Sequence, residues 1–178
     1  MNLLGHKHLL GNRASKSSFV GTITLSTAYT SSIVIGRATG AKRAGQSFII
    51  PVEGTFNLQQ VSYGVAKVGT HPTGYLYAYI YTDDSGLPGT SLGYVRVSHL
   101  NVSTQQDNVE QFMFNGSIQL SGLTRYWIVA ATSYTSTSYY YLVKKGATDY
   151  EDGTMATYDP WTILDQSTIA FRASVRVT

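Results

Sequence analysis

Short segments of alternating residue character, separated by turns rich in glycine, proline and aspartate, most constrain how this chain can fold. From Gln46 onwards such segments recur about every 10–15 residues, and no window shows a sustained helical period flanked by capping residues. Alternation with a period of two is typical of β-strands, because successive side chains point to opposite faces of a sheet. The pattern therefore predicts an all-β fold built as an antiparallel β-sandwich.

The number of segments narrows the architecture further. Roughly eight to ten strands at this spacing favour a jelly-roll-like sandwich over an immunoglobulin sandwich, which has fewer strands. A length of 178 residues is sufficient for one such domain with its own core. The sequence contains no cysteine, which excludes disulfides, thiolate metal sites and a thiol nucleophile.

The beginning of the chain is basic, whereas the remainder is slightly acidic. Residues 1–45 carry six basic and no acidic side chains, and residues 46–178 carry seven basic and ten acidic ones, a net charge of −3. This division predicts a basic N-terminal arm with leading strands over 1–44 and a jelly-roll β-sandwich over 45–178. The arm is expected to begin as an extended tail that docks on a partner. Its candidate docking residues are His6, Lys7, His8, Arg13 and Lys16.

An arm and a body of opposite charge are complementary, so copies of the chain could exchange arms. We therefore expect a homo-oligomer, with a trimer as one candidate. The basic residues are too sparse for a nucleic-acid arm, and no segment approaches the roughly 20 apolar residues needed to span a membrane. Nucleic acid and membrane are thus not expected partners. The N-terminus also lacks an apolar run of signal-peptide length, which predicts synthesis in the cytoplasm without a secretory signal.

Fourteen tyrosines against six phenylalanines form the strongest compositional skew. The segment TGYLYAYIYT alternates tyrosines on one face with aliphatic residues on the other. The two sets are Tyr75, Tyr77, Tyr79 and Tyr81, and Leu76, Ala78 and Ile80. Because aliphatic residues are the usual interior choice, we expect the tyrosines to face outward, where they could contact a glycan or a protein. The alternatives are that the tyrosine face is the core, or that it reflects only the preference of sheets for aromatic residues.

Three further aromatic residues are candidate contacts for a glycan or a protein. Tyr139 and Tyr141 share one side of the segment SYYYLVKK, and Trp161 lies in the predicted loop YDPWTILD. The neighbouring segment SLGYVRVSHL leaves open whether Tyr94 or Val95 faces inward.

The best candidate cation site is the acidic turn DDSG. Asp83 and Asp84 could begin a calcium loop, since Ca²⁺ requires several clustered oxygen ligands. The alternative, favoured because only two carboxylates are present, is a turn closed by side-chain-to-backbone hydrogen bonds. The sequence shows no recognisable Ser/His/Asp arrangement and no GxSxG motif. We therefore expect no catalytic activity, no metal site and no cofactor.

Several phrases follow one another in a characteristic order, namely GQSFIIP, then HPTGYLYAYIYTDDSGLPG, then LTRYWIVAATS and finally IAFRASV. Over about residues 45–174 they resemble a jelly-roll module found in bacterial surface proteins of the choice-of-anchor type and in phage virion and tail proteins. The residues that match the pattern are Gln46, Ser47, Phe48, Pro72, Gly74, Ile80, Tyr81, Asp83, Gly86, Leu87, Pro88, Gly89, Tyr126, Trp127, Ile128, Ala170, Phe171 and Arg172.

The resemblance implies a structural, adhesive or glycan-binding role. With the basic arm, it favours a non-enzymatic structural protein of a virus particle: a bacteriophage capsid decoration, head-fibre or tail-associated protein. Such a protein would be located in the virion and would contact other virion proteins or copies of itself. The alternative is a carbohydrate-binding or adhesion module of a bacterial surface system, extracellular or at the cell surface, with a cell-surface glycan as its partner.

Overall fold

The structure is a computed structural model, in which part of the chain is described. The described residues are 20–25, 29–39, 41–69, 73–105, 108–146, 155–158, 161–164, 168–169 and 171–177. They form thirteen strands and one 3-10 turn. The strands are β1 Val20–Leu25, β2 Tyr29–Ile35, β3 Arg43–Ile49, β4 Thr55–Val68, β5 Tyr75–Asp84, β6 Leu87–Ser98, β7 Val109–Ser121, β8 Arg125–Thr132, β9 Tyr140–Gly146, β10 Met155–Tyr158, β11 Trp161–Leu164, β12 Thr168–Ile169 and β13 Phe171–Val177, and the 3-10 turn η1 is His99–Asn101.

The strands form two antiparallel sheets, which confirms the predicted all-β sandwich. Within the described ranges, the first sheet has the order β1-β13-β4-β9-β12, with β2 also paired to β9 and β7 to β4. The second sheet has the order β11-β10-β3-β8-β5-β6. The chain crosses repeatedly between the sheets, so that neighbouring strands such as β3 and β8 are far apart in sequence. Non-sequential neighbours of this kind are a feature of jelly rolls.

The core lies between the two sheets. Phe48 on β3 contacts Tyr126 on β8 and Phe171 on β13, with ring centroids 6.1 and 5.8 Å apart. Within the first sheet, Tyr63 and Phe112 stack at 4.8 Å. These rings come from both sheets, and their contacts hold the layers together because each buried aromatic side chain removes a large apolar area from water.

One buried polar side chain links the sheets directly. Gln46 on β3 is fully buried, and its Oε1 accepts a 3.0 Å hydrogen bond from the backbone N–H of Ile169 on β12. Its Nε2 donates to the backbone oxygen of Ser47 at 3.2 Å. A buried amide is stable only when its polar atoms are paired, so Gln46 fixes β12 at a defined position opposite β3.

The structure has more strands than the eight to ten predicted, and the additional ones are short. Trp161, which the sequence placed in a loop, begins β11, which pairs antiparallel with β10. A four-residue strand shows too few alternations to be recognised by its pattern. In the leading segment, β1 pairs with β13 and β2 with β9, and the predicted boundary at 44/45 falls inside β3. Across the described ranges no helix is long and apolar enough to cross a membrane.

Candidate binding site

The outer face of the second sheet carries a row of tyrosines. On β5 the aliphatic residues Leu76, Ala78 and Ile80 are fully buried, and the alternating tyrosines lie half-buried on the opposite face. The predicted orientation of this strand is therefore confirmed. It follows from the unbroken alternation along β5, which leaves one consistent way to bury the aliphatic set.

These tyrosines contact one another in series. The ring centroids of Tyr75 and Tyr77 are 6.3 Å apart, those of Tyr77 and Tyr79 are 5.5 Å apart and stacked, and those of Tyr79 and Tyr81 are 5.8 Å apart. Burial among its neighbours raises the pKa of Tyr79 above its ordinary value of 10.0, and the adjacent Tyr77 adds to the shift. The rings therefore form a continuous aromatic strip with hydroxyl groups.

The neighbouring strand β6 adds two residues, Tyr94 and Arg96, that were not among the predicted contact residues. Tyr94 is 53% exposed and lies opposite Tyr79, with ring centroids 5.0 Å apart. The guanidinium of Arg96 lies 4.3 Å from the ring centroid of Tyr75, within the range of a cation–π contact. A hydrogen bond with Tyr77 also raises the pKa of Arg96. We call the five tyrosines, Tyr75, Tyr77, Tyr79, Tyr81 and Tyr94, the tyrosine ladder.

The ladder is supported by a small apolar cluster on the same outer face. Trp127 and Val129 on β8 are fully buried there, with Tyr79 and Tyr81 packed against them. Gly45 on β3 leaves room for this packing, since a Cβ at that position would lie 3.1 Å from Cγ2 of Val129 and 3.4 Å from Cε3 of Trp127. Two rings of the ladder, those of Tyr79 and Tyr81, thus rest on a packed surface.

A shallow recess adjoins the ladder where β3 begins and β8 ends. It has a volume of about 300 Å³. The described residues that line it are Lys42, Arg43, Thr132, Ser133, Tyr134 and Thr135. Arg43 connects the recess to the ladder, because its Nη1 donates a 3.2 Å hydrogen bond to the hydroxyl of Tyr81.

The outer face of the first sheet has a different character. Along β13, Arg172, Ser174 and Arg176 point outward between buried apolar residues, and on β7 the outward positions include Gln111 and Met113. Tyr140 on β9 is half-buried on this face, next to the guanidinium of Arg37. Tyrosine therefore occurs on both outer faces, and the second sheet is distinguished by five tyrosine rings that adjoin one another.

In the acidic turn between β5 and β6, both aspartate carboxylates accept hydrogen bonds from other groups of the protein. Asp83 Oδ2 accepts from the backbone N–H of Gly86 at 3.1 Å, and its Oδ1 accepts from Nε1 of Trp127 at 2.7 Å. Asp84 Oδ1 accepts from the hydroxyl of Ser85 at 3.3 Å. These contacts are those of a side-chain-closed turn. Among the described residues, no three histidine, aspartate or glutamate side chains lie close enough to hold a metal ion together.

Tyr141 is a correction to the predicted contact residues. It is fully buried, and its hydroxyl lies 2.9 Å from Nδ1 of His99. The hydroxyl of Tyr134 lies 2.8 Å from the same nitrogen, and Nε2 of His99 lies 3.1 Å from the backbone oxygen of Gly69. Burial raises the pKa of Tyr141 above its ordinary value of 10.0. Because the side chain of Tyr141 points into the sandwich, it cannot contact an external ligand.

Only some of the other predicted contact residues lie within the described part of the structure. Tyr139 is half-buried and precedes β9. The backbone of Trp161 pairs with Tyr158, and the side chain of Trp161 lies outside the described part of the structure. The arm residues His6, Lys7, His8, Arg13 and Lys16 also lie outside the described residues. The structure therefore brings together the four tyrosines of β5, and adds Tyr94, Arg96 and the recess to them.

Comparison with known proteins identifies the fold but no family. No family model matches the chain, and no curated protein matches it. A structure of the clostridial cysteine protease Cwp84 after propeptide cleavage is similar with a TM-score of 0.60 and 11% identity, covering 89% of this chain and 40% of that one. A structure of the cysteine protease and lectin-like domains of Cwp84, a surface layer associated protein of Clostridium difficile, has a TM-score of 0.54 and 10% identity, covering 94% and 37%.

A viral structure is also similar, at a lower level. The infectious bursal disease virus Gt strain aligns with a TM-score of 0.41 and 15% identity, covering 99% of this chain and 46% of that one, a likeness too low to carry an argument. The chain thus spans about two fifths of the length of the Cwp84 chains it resembles. At these identities the likeness shows the fold, a β-sandwich.

The comparison overturns the expectation that the chain is not an enzyme. The two Cwp84 structures are named as a cysteine protease, so this fold occurs within an enzyme chain. The printed sequence has no cysteine that could act as such a nucleophile. The likeness carries the fold alone, and no reaction is assigned to this chain.

Proposed function

We propose that this chain is a carbohydrate-binding module that presents the tyrosine ladder to a glycan. The observation that carries the proposal is the concentration of five adjoining tyrosine rings on one outer face, two of which, Tyr79 and Tyr81, pack on Trp127 and Val129. The face of a sugar ring that bears C–H groups packs against an aromatic ring, and the tyrosine hydroxyls can hydrogen-bond the sugar hydroxyls. Tyrosine also loses little conformational entropy when it is immobilised in a contact.

The arrangement suits an extended ligand. The rings follow one another along β5 at centroid distances of 5.5 to 6.3 Å, so a chain of sugar units can contact several of them in turn. One of the solved structures with a similar fold contains lectin-like domains of a surface layer associated protein, which agrees with a glycan-binding module at a bacterial surface or outside the cell. The choice-of-anchor resemblance of the sequence points in the same direction.

A glycan array with the full chain tests this proposal. Binding to at least one class of oligosaccharide is expected, and Tyr79→Ala is expected to weaken it about tenfold or more, because stacking of a ligand ring on an aromatic side chain contributes roughly 1–3 kcal/mol. Gln111→Ala on the outer face of the first sheet is the matched control and should leave binding unchanged. A blank array, or equal binding by wild type and Tyr79→Ala, would overturn the proposal.

A second candidate is a structural component of a virus particle, in particular a bacteriophage capsid decoration, head-fibre or tail-associated protein. The observation that favours it is the opposite charge of residues 1–45 and 46–178, which makes copies of the chain complementary to one another. In that role the ladder would form a protein interface, for which tyrosine is equally suited. Light scattering of the full chain and of a chain lacking residues 1–18 tests it. An assembly that is unaffected by the deletion would contradict the role of the arm.

A further inference from the structure

Three exposed apolar side chains lie at one end of the sandwich and form what we call the end patch: Val52, Leu123 and Val177. Val52 lies in the loop between β3 and β4, and Leu123 lies in the connection between β7 and β8. The N–H of Leu123 donates a 2.8 Å hydrogen bond to the backbone oxygen of Ile50, which ties the two connections together. Val177 is the last residue of β13, which pairs with the beginning of β4 at the same end. The end patch therefore draws on three separate parts of the chain.

Leu123 is an unusual residue for the position that it occupies. Its φ of 57° lies in the left-handed region, which disfavours a side chain with a Cβ and is more often taken by glycine or asparagine. The side chain is also 57% exposed, so it gains little from burial against the described residues. A strained and exposed turn position offers a leucine no advantage of its own, which points to a contact with a further apolar group.

Val177 marks the place where a row of core residues is incomplete. Across the first sheet, Val177 on β13 is opposite Phe56 on β4, and Phe56 is opposite Leu120 on β7. Phe56 and Leu120 are buried, whereas Val177, at the end of the row that faces β1, is exposed. An apolar side chain on the β1 side of Val177 would complete this row.

The segment that precedes β1 enters the fold at this same end. β1 begins at Val20, which is opposite Arg176, and one further pair in this register sets residue 19 opposite Val177. Residue 19 is a phenylalanine, and residues 1–18 contain two leucine pairs, at 3–4 and 9–10. The same segment has three basic and no acidic side chains, and Glu53, which follows Val52, is exposed at this end of the sandwich. The apolar and charged groups of the segment thus complement those at the end patch.

We propose that residues 1–19 dock on the end patch of their own chain, with Phe19 opposite Val177 and leucines of the segment against Val52 and Leu123. Docking within one chain is favoured over docking on a second copy, because the segment is joined directly to β1 and has a high effective concentration at the patch. The docked segment would shield the open end of the core from water. It leaves the tyrosine ladder, on the outer face of the second sheet, to its own ligand.

Photo-crosslinking of the full chain tests this docking, because a chain without cysteine can be labelled at one introduced cysteine. Leu123→Cys, labelled with a benzophenone maleimide, is expected to form cross-links to tryptic peptides from residues 1–19. Leu100→Cys is the matched control, because Leu100 is 55% exposed and lies beside Lys67, near the other end of β4. At equal labelling, the yield of cross-links to residues 1–19 should be at least about fivefold lower from Leu100→Cys, where the effective concentration of the segment is lower.

Serine substitutions in the segment show whether its leucines make the contact. Leu9→Ser combined with Leu10→Ser should reduce the cross-link yield of Leu123→Cys about fivefold or more, since burial of these apolar side chains drives the docking. An unchanged yield would overturn the proposed contact. So would equal yields from Leu123→Cys and Leu100→Cys, or the absence of cross-links to residues 1–19.

The mass of the cross-linked product separates docking within a chain from docking between copies. A product with the mass of one chain supports the proposal. A product with twice that mass, in which Leu123→Cys is joined to residues 1–19 of another copy, would overturn it and place the segment on a second copy. Neither result bears on glycan binding, which Tyr79→Ala tests separately.

Discussion

The indole Nε1 of Trp127 donates a 2.7 Å hydrogen bond to Oδ1 of Asp83. Trp127 is fully buried on β8, and Asp83 lies at the end of β5 where the chain turns into β6. The bond joins the TDDSGLPG turn to β8, although the two residues are more than forty positions apart in sequence. The same carboxylate accepts from the N–H of Gly86, so one side chain closes the turn and also anchors it to the floor of the ladder.

Asp83→Ala should destabilise the fold by about 2–3 kcal/mol, because it leaves a buried indole N–H without its acceptor and removes the bond that closes the turn. Urea unfolding followed by tryptophan fluorescence measures this change. Asp84→Ala is the matched control, since Asp84 is exposed and contacts the hydroxyl of Ser85. We expect its effect to remain below about 0.5 kcal/mol.

A double-mutant cycle with Trp127→Phe isolates the pair. If the two substitutions are additive within a few tenths of a kcal/mol, the hydrogen bond does not couple the turn to β8, and the stated cause of the Asp83→Ala effect is wrong.

Stability should decrease at alkaline pH because of two buried tyrosines. Burial raises the pKa of Tyr63 and of Tyr141 above 10.0, the value that both would have in the unfolded chain. Below pH 10 both states hold the phenolic protons and stability is unaffected. Above it the unfolded chain loses protons that the folded chain retains, so the free energy of unfolding falls by up to about 1.4 kcal/mol per pH unit for each such tyrosine.

Urea unfolding at a series of pH values, with tyrosinate absorbance as a second signal, measures this slope. Tyr63→Phe should lower the slope, although it also removes the 2.9 Å bond from the Tyr63 hydroxyl to the backbone oxygen of Tyr77. Tyr94→Phe alters an exposed residue and serves as the control. The same slope in wild type and in a Tyr63→Phe, Tyr141→Phe double variant would show that these two tyrosines are not its source.

The sequence predicted the orientation of β5 because its alternation is uninterrupted over the part that carries the tyrosines. It could not decide the orientation of β6, where the register shifts opposite Ile80 and Tyr81 and Gly93 has a φ of 155°. Such an irregularity interrupts the alternation of inward and outward side chains, so the sequence allowed either Tyr94 or Val95 to face inward. In the structure Tyr94 is exposed and Val95 packs against the core.

The orientation of Tyr141 could not be predicted from the sequence for a different reason. In SYYYLVKK both alternating sets contain tyrosines and an aliphatic residue, so the period is visible but the inward face is not.

The recess was not predictable either, because Lys42 and Arg43 are about ninety residues from Thr132–Thr135 and meet only through the pairing of β3 with β8. Long-range register is information that local patterns do not carry.

Tyr79→Ala should also destabilise the fold, by about 2 kcal/mol, because the ring of Tyr79 contacts three other rings of the ladder. Tyr79→Phe keeps these ring contacts and should cost less than about 0.5 kcal/mol. Thermal and urea unfolding of both variants measure the difference. An equal loss in the two variants would mean that the hydroxyl of Tyr79, and not its ring, holds the ladder together.

Lys67 holds the turn that follows β6, and its substitution should loosen that turn locally. Its Nζ donates to the backbone oxygens of His99 at 2.9 Å and of Leu100 at 3.0 Å, within the 3-10 turn η1. The backbone N–H of His99 in turn donates to the oxygen of Gly74, which precedes the first tyrosine of the ladder. Lys67→Met removes the two charge-assisted bonds and keeps the length of the side chain, so we expect a loss of about 1–3 kcal/mol.

Because the lost bonds act on one turn, hydrogen exchange should rise at the amides of Leu100 and Val102 much more than in β4 or β5. Lys67→Arg should restore most of the protection, since a guanidinium can donate to both oxygens. Lys145→Met, a half-buried lysine on β9, is the matched control. Uniformly faster exchange across both sheets would show that Lys67 stabilises the whole sandwich, whereas unchanged exchange at Leu100 and Val102 would show that the turn does not depend on it.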